Sequence, residues 1–362
     1  MRPANIFNVI PGVKLARPVY NSEANILLNK NSVLSEKYIE RIKNIGVRTI
    51  FIEDEISDGI FINDVICEEN RVEAVKFIRK LLKFCEAVKE PHKIKLDLDN
   101  LFAIVKKLVD DLWLNKSKVF TPSIDVKNAE NYTAAHSVNT AIISMVIGLG
   151  LQWTKEDIIE LGIGAILHDV GKTKIPNSIL DKPGRLTNEE YDIIKTHSEH
   201  GYKILKNIQN LSEDILFVSW QHHEKVNGQG YPEGLTEKDI LENAKIVALA
   251  DVFDALTSDR VYKNRMPADM AIKIILGASG SHFSSIYTSV FDNYAQMYPP
   301  GSIVQLTNGM LGIVLSYKNK TNYKLRIFTD ENKKKLDTFL IMDMSKEKKL
   351  RIIKTLDDLH YT

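Results

Sequence analysis

Five histidines and two aspartates could do chemistry in this chain: His136, His168, His197, His222 and His223, with Asp169 and Asp251. His168 and Asp169 are neighbours in Ile166-Leu167-His168-Asp169-Val170-Gly171-Lys172, and the others fall in an apolar, helical region. Burying imidazoles and carboxylates is costly unless their polar atoms find partners. Neutral imidazole nitrogens and carboxylate oxygens are also ligands, so a pair of divalent metal ions would satisfy the whole set. The pattern points to a binuclear metallohydrolase.

Each residue also has a plainer explanation. His168 and Asp169 are about 100° apart on a helix and can converge on one ion only near a helix end, where the chain turns toward Gly171. Alone, the pair reads equally well as a capping carboxylate beside a half-buried imidazole. His136 and Asp251 shift the balance. His136 precedes Thr140-Ala141-Ile142-Ile143, and Asp251 lies in Val247-Ala248-Leu249-Ala250-Asp251-Val252-Phe253. A lone imidazole or carboxylate in such company would need a cation or several donors. Asp254, one turn after Asp251, reads as a residue that orients a ligand or a neighbouring helix. His200 reads as solvent-facing, and His92, His282 and His360 as surface residues. Lys172 is either a cation at a helix C-terminus or one that meets a phosphate beside the metals.

The elements that must position these residues are mostly helices. Thr154 with Asp157 opens a helix that ends at the His168-Asp169 pair, with Gly171 as its C′ residue. Thr187-Asn188-Glu189-Glu190 is a capping box opening the helix that carries His197. Ser212 opens the helix ending in His222-His223, and residues 244–257 form the helix with Asp251. Upstream, Val72, Val75, Ile78 and Leu82, then Leu101, Ile104, Val105, Leu108 and Leu112, mark two further helices separated by Pro91. Residues 1–65 carry short apolar runs punctuated by Pro, Gly and Asn, as in a small α+β domain. Beyond Pro299-Pro300-Gly301 the pattern turns to strands, with Asn308-Gly309 as a hairpin turn. The expected fold is mainly α: an HD-type helical bundle over 119–295, a helical linker over 66–118, an amino-terminal α+β appendage over 1–65 and a β-rich carboxy-terminal region over 296–362.

Composition narrows the partners. The 362 residues include 48 Lys+Arg and 47 Asp+Glu, a near balance that offers no global field for a nucleic acid polymer or an anionic membrane. Any anionic ligand must be held locally. Cys67 and Cys85 form no CxxC pair and read as inert reduced thiols. The start lacks the apolar stretch of a signal peptide, and the run from Ala141 to Leu151 is short and broken by Gly. A cytoplasmic protein without membrane association is expected.

The order of these motifs resembles the HD-GYP branch of the HD-domain metal-dependent phosphohydrolases, bacterial hydrolases of cyclic di-GMP. The likeness covers about 170 residues. It runs from Tyr132-Thr133 and His136-Ser137 through His168-Asp169-Val170-Gly171-Lys172, Ile179 to Thr187, and His197. It continues through His222-His223-Glu224, Asn227-Gly228-Gln229-Gly230-Tyr231-Pro232, and Asp251 to Ser258. HD alone is unspecific, whereas HD, HH-E and GxGYP in this order are a strong signal. The resemblance implies that His136, His168, Asp169 and Asp251 hold one metal. Asp169 then bridges to a second, held by His197, His222 and His223. Tyr132 stands where some members place a Glu for a third metal, so two divalent ions are expected, iron or manganese.

The implied reaction is hydrolysis of a phosphodiester bond of cyclic di-GMP to linear pGpG, or onward to GMP. Two metals ~3.5–4 Å apart lower the pKa of a bridging water and aim the resulting hydroxide in line at phosphorus. Lys172 would stabilise transition-state charge with Asp169 in the catalytic centre, while Arg260 and Lys263 match basic ligand contacts and Gly230 and Tyr231 shape one pocket wall. Two alternatives stand beside this reading. One is a nucleotide sensor or interaction module that docks a partner such as a cyclase domain; the other is a hydrolase of another cyclic dinucleotide. A homodimer fits any of the three. The chain departs from the family pattern at Asn227, at Val261 and after Phe283, where the usual Asp-Pro is missing.

Overall fold

The computed structural model describes residues 1–62, 64–116, 132–259, 265–319 and 322–356. Arg260, Val261, Lys263 and His360 lie outside the described residues. The amino-terminal part contains β1 (Arg2–Asn5), β2 (Lys14–Leu15), β3 (Val19–Tyr20), β4 (Ile26–Leu28), α1 (Glu36–Asn44) and β5 (Thr49–Glu53). Strands β1, β5 and β2 form an antiparallel sheet in that order, and β3 pairs with β4. Helix α1 starts where the Ser35 hydroxyl accepts the Tyr38 amide, and it buries Ile39 and Ile42 over Leu34, Ile50 and Ile52.

The body is helical: α2 (Glu68–Ala87), α3 (Leu98–Leu114), α4 (Tyr132–Gly150), α5 (Lys155–Leu167), α6 (Asn177–Leu180), α7 (Asn188–Lys195), α8 (His197–Leu205), α9 (Glu213–Gln221), α10 (Glu242–Thr257), α11 (Ala268–Gly277) and α12 (Ser285–Tyr294). Helices α2 and α3 place Val75, Ile78, Leu101, Val105 and Leu108 in the same core as Ile142 and Met145 of α4 and Leu161 of α5. Helix α4 is the axis of the bundle, buried without interruption from Ala134 to Gly148. It extends further back than the run from Ala141 suggests, and by length and composition it could cross a membrane. However, 83% of its apolar window is buried inside the molecule, as befits a helix that is hydrophobic all round and sits in a core.

Two local expectations need correction. Thr154 and Asp157 do form the capping box of α5, and His168 is its C-cap, but Gly171 is not a left-handed C′ residue. It lies in a 3-10 turn over Val170–Lys174, where a Cβ would fall 1.9 Å from the His197 carbonyl oxygen and 2.4 Å from the Gly201 nitrogen. Close approach of α8, rather than backbone handedness, requires glycine there. Likewise, the Thr187–Glu190 box opens α7, but α7 ends at Lys195 and His197 begins a separate helix. Thr196 closes the last turn of α7 with its amide bonded to Ile193 and Ile194 carbonyls and its hydroxyl to Ile193.

The carboxy-terminal sheet comprises β6 (Ile303–Leu306), β7 (Leu311–Asn319), β8 (Asn322–Thr329), β9 (Lys335–Asp343) and β10 (Ile352–Leu356), antiparallel in the order β10-β6-β7-β8-β9. Gly309, at φ +95°, makes the turn between β6 and β7. The two appendages touch each other. Ile56 and Ile60 pack on Ile303, Ile313 and Phe328, and the Arg326 guanidinium donates to the carbonyls of Ile56 (2.9 Å) and Asp58 (2.7 Å). The fold is thus mainly α, a helical bundle with small β-containing appendages at both ends.

Candidate metal centre

The five histidines and two aspartates meet at one place. His136 comes from the first turns of α4, His168 and Asp169 from the end of α5, His197 from the start of α8, His222 and His223 from the end of α9, and Asp251 from within α10. Helix ends serve this convergence because two consecutive residues can face one point only where the helix stops. The ligand atoms of His136, His168 and Asp251 lie within 4.8 Å of one another, as do those of His197, His222 and His223, and those of His168, Asp169 and His222.

Asp169 sits between the two histidine sets. Its Oδ2 is 3.2 Å from His168 Nε2 and 3.7 Å from His136 Nε2. Its Oδ1 is 3.5 Å from His197 Nε2 and 3.8 Å from His222 Nε2. One carboxylate therefore offers one oxygen to each side. The Lys172 ammonium, on the 3-10 turn that follows, lies 2.5 Å from Oδ2.

The hydrogen-bond partners fix which imidazole nitrogens carry protons. His168 Nδ1 donates to the Ala165 carbonyl (2.7 Å), His197 Nδ1 to that of Ile194 (2.6 Å), and His222 Nδ1 to that of Ser219 (3.0 Å). A carbonyl can only accept, so Nδ1 must hold the hydrogen and Nε2 presents its lone pair to the cluster. His136 follows the same rule with a carboxylate: its Nδ1 donates to Asp254 Oδ2 at 2.7 Å. A histidine whose far nitrogen donates to a carbonyl or carboxylate is held as metal ligands are held. Two of the inward atoms, His168 Nε2 and Asp169 Oδ1, are buried with no hydrogen-bond partner among the described residues. Orphaned acceptors of this kind are costly in a protein interior, and a cation between them removes the cost. The residues fit a binuclear divalent metal centre.

The electrostatics agree. Burial holds the imidazoles of His197 and His223 down, to about 4 and about 3 respectively, and pushes that of His222 well below the usual range. These three are neutral, ligand-ready bases at neutral pH. Burial would raise the Asp169 carboxyl, but the neighbouring His168 and the Lys172 ammonium outweigh it and hold it well below the ordinary range. Asp251 is lowered in the same sense, burial being overcome by its hydrogen bond to His136. His136 moves the other way: burial lowers it, yet Asp251, 2.9 Å from Nε2, and Asp254 together raise it.

Glu224 is the residue whose role the sequence left blank. It is buried, and its carboxylate accepts the amides of Glu233 (2.7 Å), Gly234 (3.0 Å) and Leu235 (2.9 Å). That nest folds the Gly228–Pro232 loop back onto the end of α9. Gly230 passes so close to it that a Cβ would lie 2.4 Å from Glu224 Cα. Tyr231 then stacks on His223, centroids 4.7 Å apart and planes at 25°, while its amide donates to the His223 carbonyl. The only sequence signal was a Glu directly after two histidines. Asp254 accepts from His136 and Asn139 together, His282 is exposed, and Tyr132 stacks on His136 with centroids 5.7 Å apart. Arg260 and Lys263 belong to the segment outside the described residues, just past Asp259, whose carboxylate accepts from Thr49 of β5 at 2.6 Å.

Comparison with known proteins places this centre in context. Residues 119–285 match the HD domain family. The chain is 36% identical over 200 residues to a cyclic di-GMP phosphodiesterase of Pseudomonas aeruginosa, covering 55% of this chain and 48% of that protein. It is 43% identical over 136 residues to a cyclic di-GMP phosphodiesterase response regulator of Xanthomonas campestris, covering 37% of this chain and 35% of that one. A 3'3'-cGAMP-specific phosphodiesterase of Vibrio cholerae is 36% identical over 156 residues, 43% of this chain and 33% of its own length. The match thus spans less than half the length of each of these relatives.

Proposed function

This chain is an HD-domain protein related to the HD-GYP phosphodiesterases, and from that premise we propose that it hydrolyses a phosphodiester bond of a cyclic dinucleotide at a binuclear metal centre. The observation that carries the reading is Asp169, whose two oxygens face two separate histidine sets. His136, His168 and Asp251 would hold one ion and His197, His222 and His223 the other, with Asp169 giving an oxygen to each. When bound, a pair of divalent ions supplies Lewis-acid polarisation of a phosphoryl oxygen and a water activated for attack at phosphorus.

The protein's own part is to hold and orient. The carbonyls of Ala165, Ile194 and Ser219 keep the imidazoles turned with Nε2 inward. Lys172, half-buried at the edge of the cluster and paired to Asp169, is placed to meet a non-bridging phosphate oxygen once that carboxylate is engaged. Tyr231 holds the His223 ring by stacking and forms a wall of the site with Gly230. Arg260 and Lys263 would take the second phosphate or a guanine.

The substrate we assign is cyclic di-GMP, converted to pGpG or onward to GMP, supported by the Pseudomonas and Xanthomonas relatives. The Vibrio relative makes 3'3'-cGAMP the second substrate to test. Iron or manganese suits a site built from imidazoles and carboxylates. A cytoplasmic setting goes with the reading of Cys67 and Cys85 as reduced thiols. Anaerobically purified chain, loaded with Fe(II) or Mn(II) and given each cyclic dinucleotide, tests the proposal by its linear products. Substrate returned intact with both metals bound would instead make the chain a sensor or docking module.

A further inference from the structure

A line of buried polar groups leads from the metal centre out of the HD domain. Arg71, on α2, has a side chain only 4% exposed. Its Nη2 grips both oxygens of Asp64, at 2.9 and 3.0 Å, and its Nη1 donates to Asn139 Oδ1 at 2.9 Å. Asn139 Nδ2 donates to Asp254 Oδ1 at 3.1 Å, and Asp254 Oδ2 accepts from His136 Nδ1 at 2.7 Å.

Every polarity in this line agrees with its neighbours. A guanidinium can only donate, so it must face the oxygen of the Asn139 amide. The amide nitrogen is thereby turned toward Asp254, which as a carboxylate can only accept. With Oδ1 engaged, Oδ2 is left to hold the proton on His136 Nδ1, and Nε2 is the nitrogen presented to the cluster. Were the amide reversed, its oxygen would confront the carboxylate and its nitrogen the guanidinium. Arg71 and Asp254 both oppose that reversal, and Arg71 does so from outside the HD domain.

We propose that Arg71 is a positioning residue for the metal centre, acting through Asn139 and Asp254 to fix the orientation and tautomer of His136. It lies outside residues 119–285, so the helix preceding the HD domain sets a ligand within it. Asp64, the other partner of Arg71, lines a cleft of about 220 Å³ with Met1, Arg17, Ile62 and Glu68, so the line starts where the amino-terminal region meets α2. The inference rests on the metal reading of the cluster.

The test is a titration of the full chain with Co(II) against a competing chelator, which resolves the two sites as separate steps with their own d–d absorption. Groups that orient a ligand typically set metal affinity by 10–100-fold. Asn139→Ala is expected to weaken one step by about that much and leave the other unchanged. Arg71→Met should weaken the same step by about tenfold, with Arg71→Lys recovering part of the loss. The double variant Arg71→Met/Asn139→Ala should bind no worse than Asn139→Ala alone, because both act through one path. Unaltered binding and spectra in Arg71→Met, at a wild-type melting temperature, would overturn the proposal, as would losses that multiply in the double variant. If Arg71→Met does not fold, Arg71→Lys decides on the same criterion: wild-type affinity and spectrum would overturn it. Wild type binding no Co(II) would refute the metal reading itself, a result distinct from these.

Discussion

Replacing Asp169 by asparagine separates the two halves of the centre. The amide that results has one oxygen and one NH2 group, and Lys172 decides which goes where. Its ammonium lies 2.5 Å from Oδ2 and needs an acceptor, so the amide oxygen takes that position and the NH2 group takes the place of Oδ1. The NH2 then points at His197 and His222, whose Nε2 atoms lie 3.5 and 3.8 Å from Oδ1. A donor facing a cation both removes a ligand and repels the ion. Breaking a buried charge pair from one side costs ~3–5 kcal/mol, or about two to four powers of ten in affinity. Asp169→Asn should therefore empty the His197/His222/His223 site while the His136/His168/Asp251 site keeps an ion, weakened. Asp169→Ala should lose metal from both sites and abolish hydrolysis. Elemental analysis after anaerobic dialysis reads the stoichiometry of each variant. Two ions at full occupancy in Asp169→Asn, or near-normal turnover in Asp169→Ala, would refute the bridging role.

Three further outcomes are expected. Anomalous scattering should find two ions rather than three, because Tyr132, stacked on His136, offers no carboxylate for another; a third full site in the cluster would contradict this. Stability of the metal-free chain should fall as pH drops from about 6.5 toward 4, since His197 stays neutral in the fold down to about 4 while the unfolded chain takes up the proton near 6.5. His223 and His222 add in the same direction, and the raised His136 opposes them with stability present below 6.5 and lost as pH rises through its folded value. Between pH 7 and pH 5 His197 alone contributes on the order of 2 kcal/mol of this loss, so urea midpoints that do not change over that range would count against these burials. Arg260→Ala and Lys263→Ala should each raise KM by about tenfold or more with metal content unchanged, the loss of one charge-assisted phosphate contact of ~1.5–3 kcal/mol. Unchanged kinetics in both would mean the substrate approaches from another side.

The candidate ligands were legible in the sequence because a polar side chain in an apolar helical segment is anomalous, as at His136 and Asp251, and the order of the motifs tied the other five residues to them. Helix starts were equally legible at Thr154, Thr187 and Ser212, since a side-chain cap is a local event three residues long. What escaped depends on contacts between distant segments. Gly171 looked like a chain-reversal glycine, but its constraint comes from the backbone of α8. The break at Thr196 has no proline or glycine to mark it. Glu224 had a place in the motif but no role, because the loop amides that close around it lie 9 to 11 positions further on. The apolar stripes of α2 and α3 were visible, whereas the surface covering them was not, because spacing marks a face and does not name what packs on it. Arg71 gave no signal at all, for its partner Asn139 lies 68 positions away.

Turnover by the metal-replete wild type tests the central claim most directly. Anaerobic chain with two equivalents of Fe(II), and in parallel of Mn(II), is incubated with cyclic di-GMP and with 3'3'-cGAMP, and the nucleotides are separated chromatographically. Catalytic formation of a linear dinucleotide or mononucleotide, over many equivalents of protein and abolished by chelation, is the predicted result. Nucleotide that binds and is recovered cyclic under both metals would contradict it.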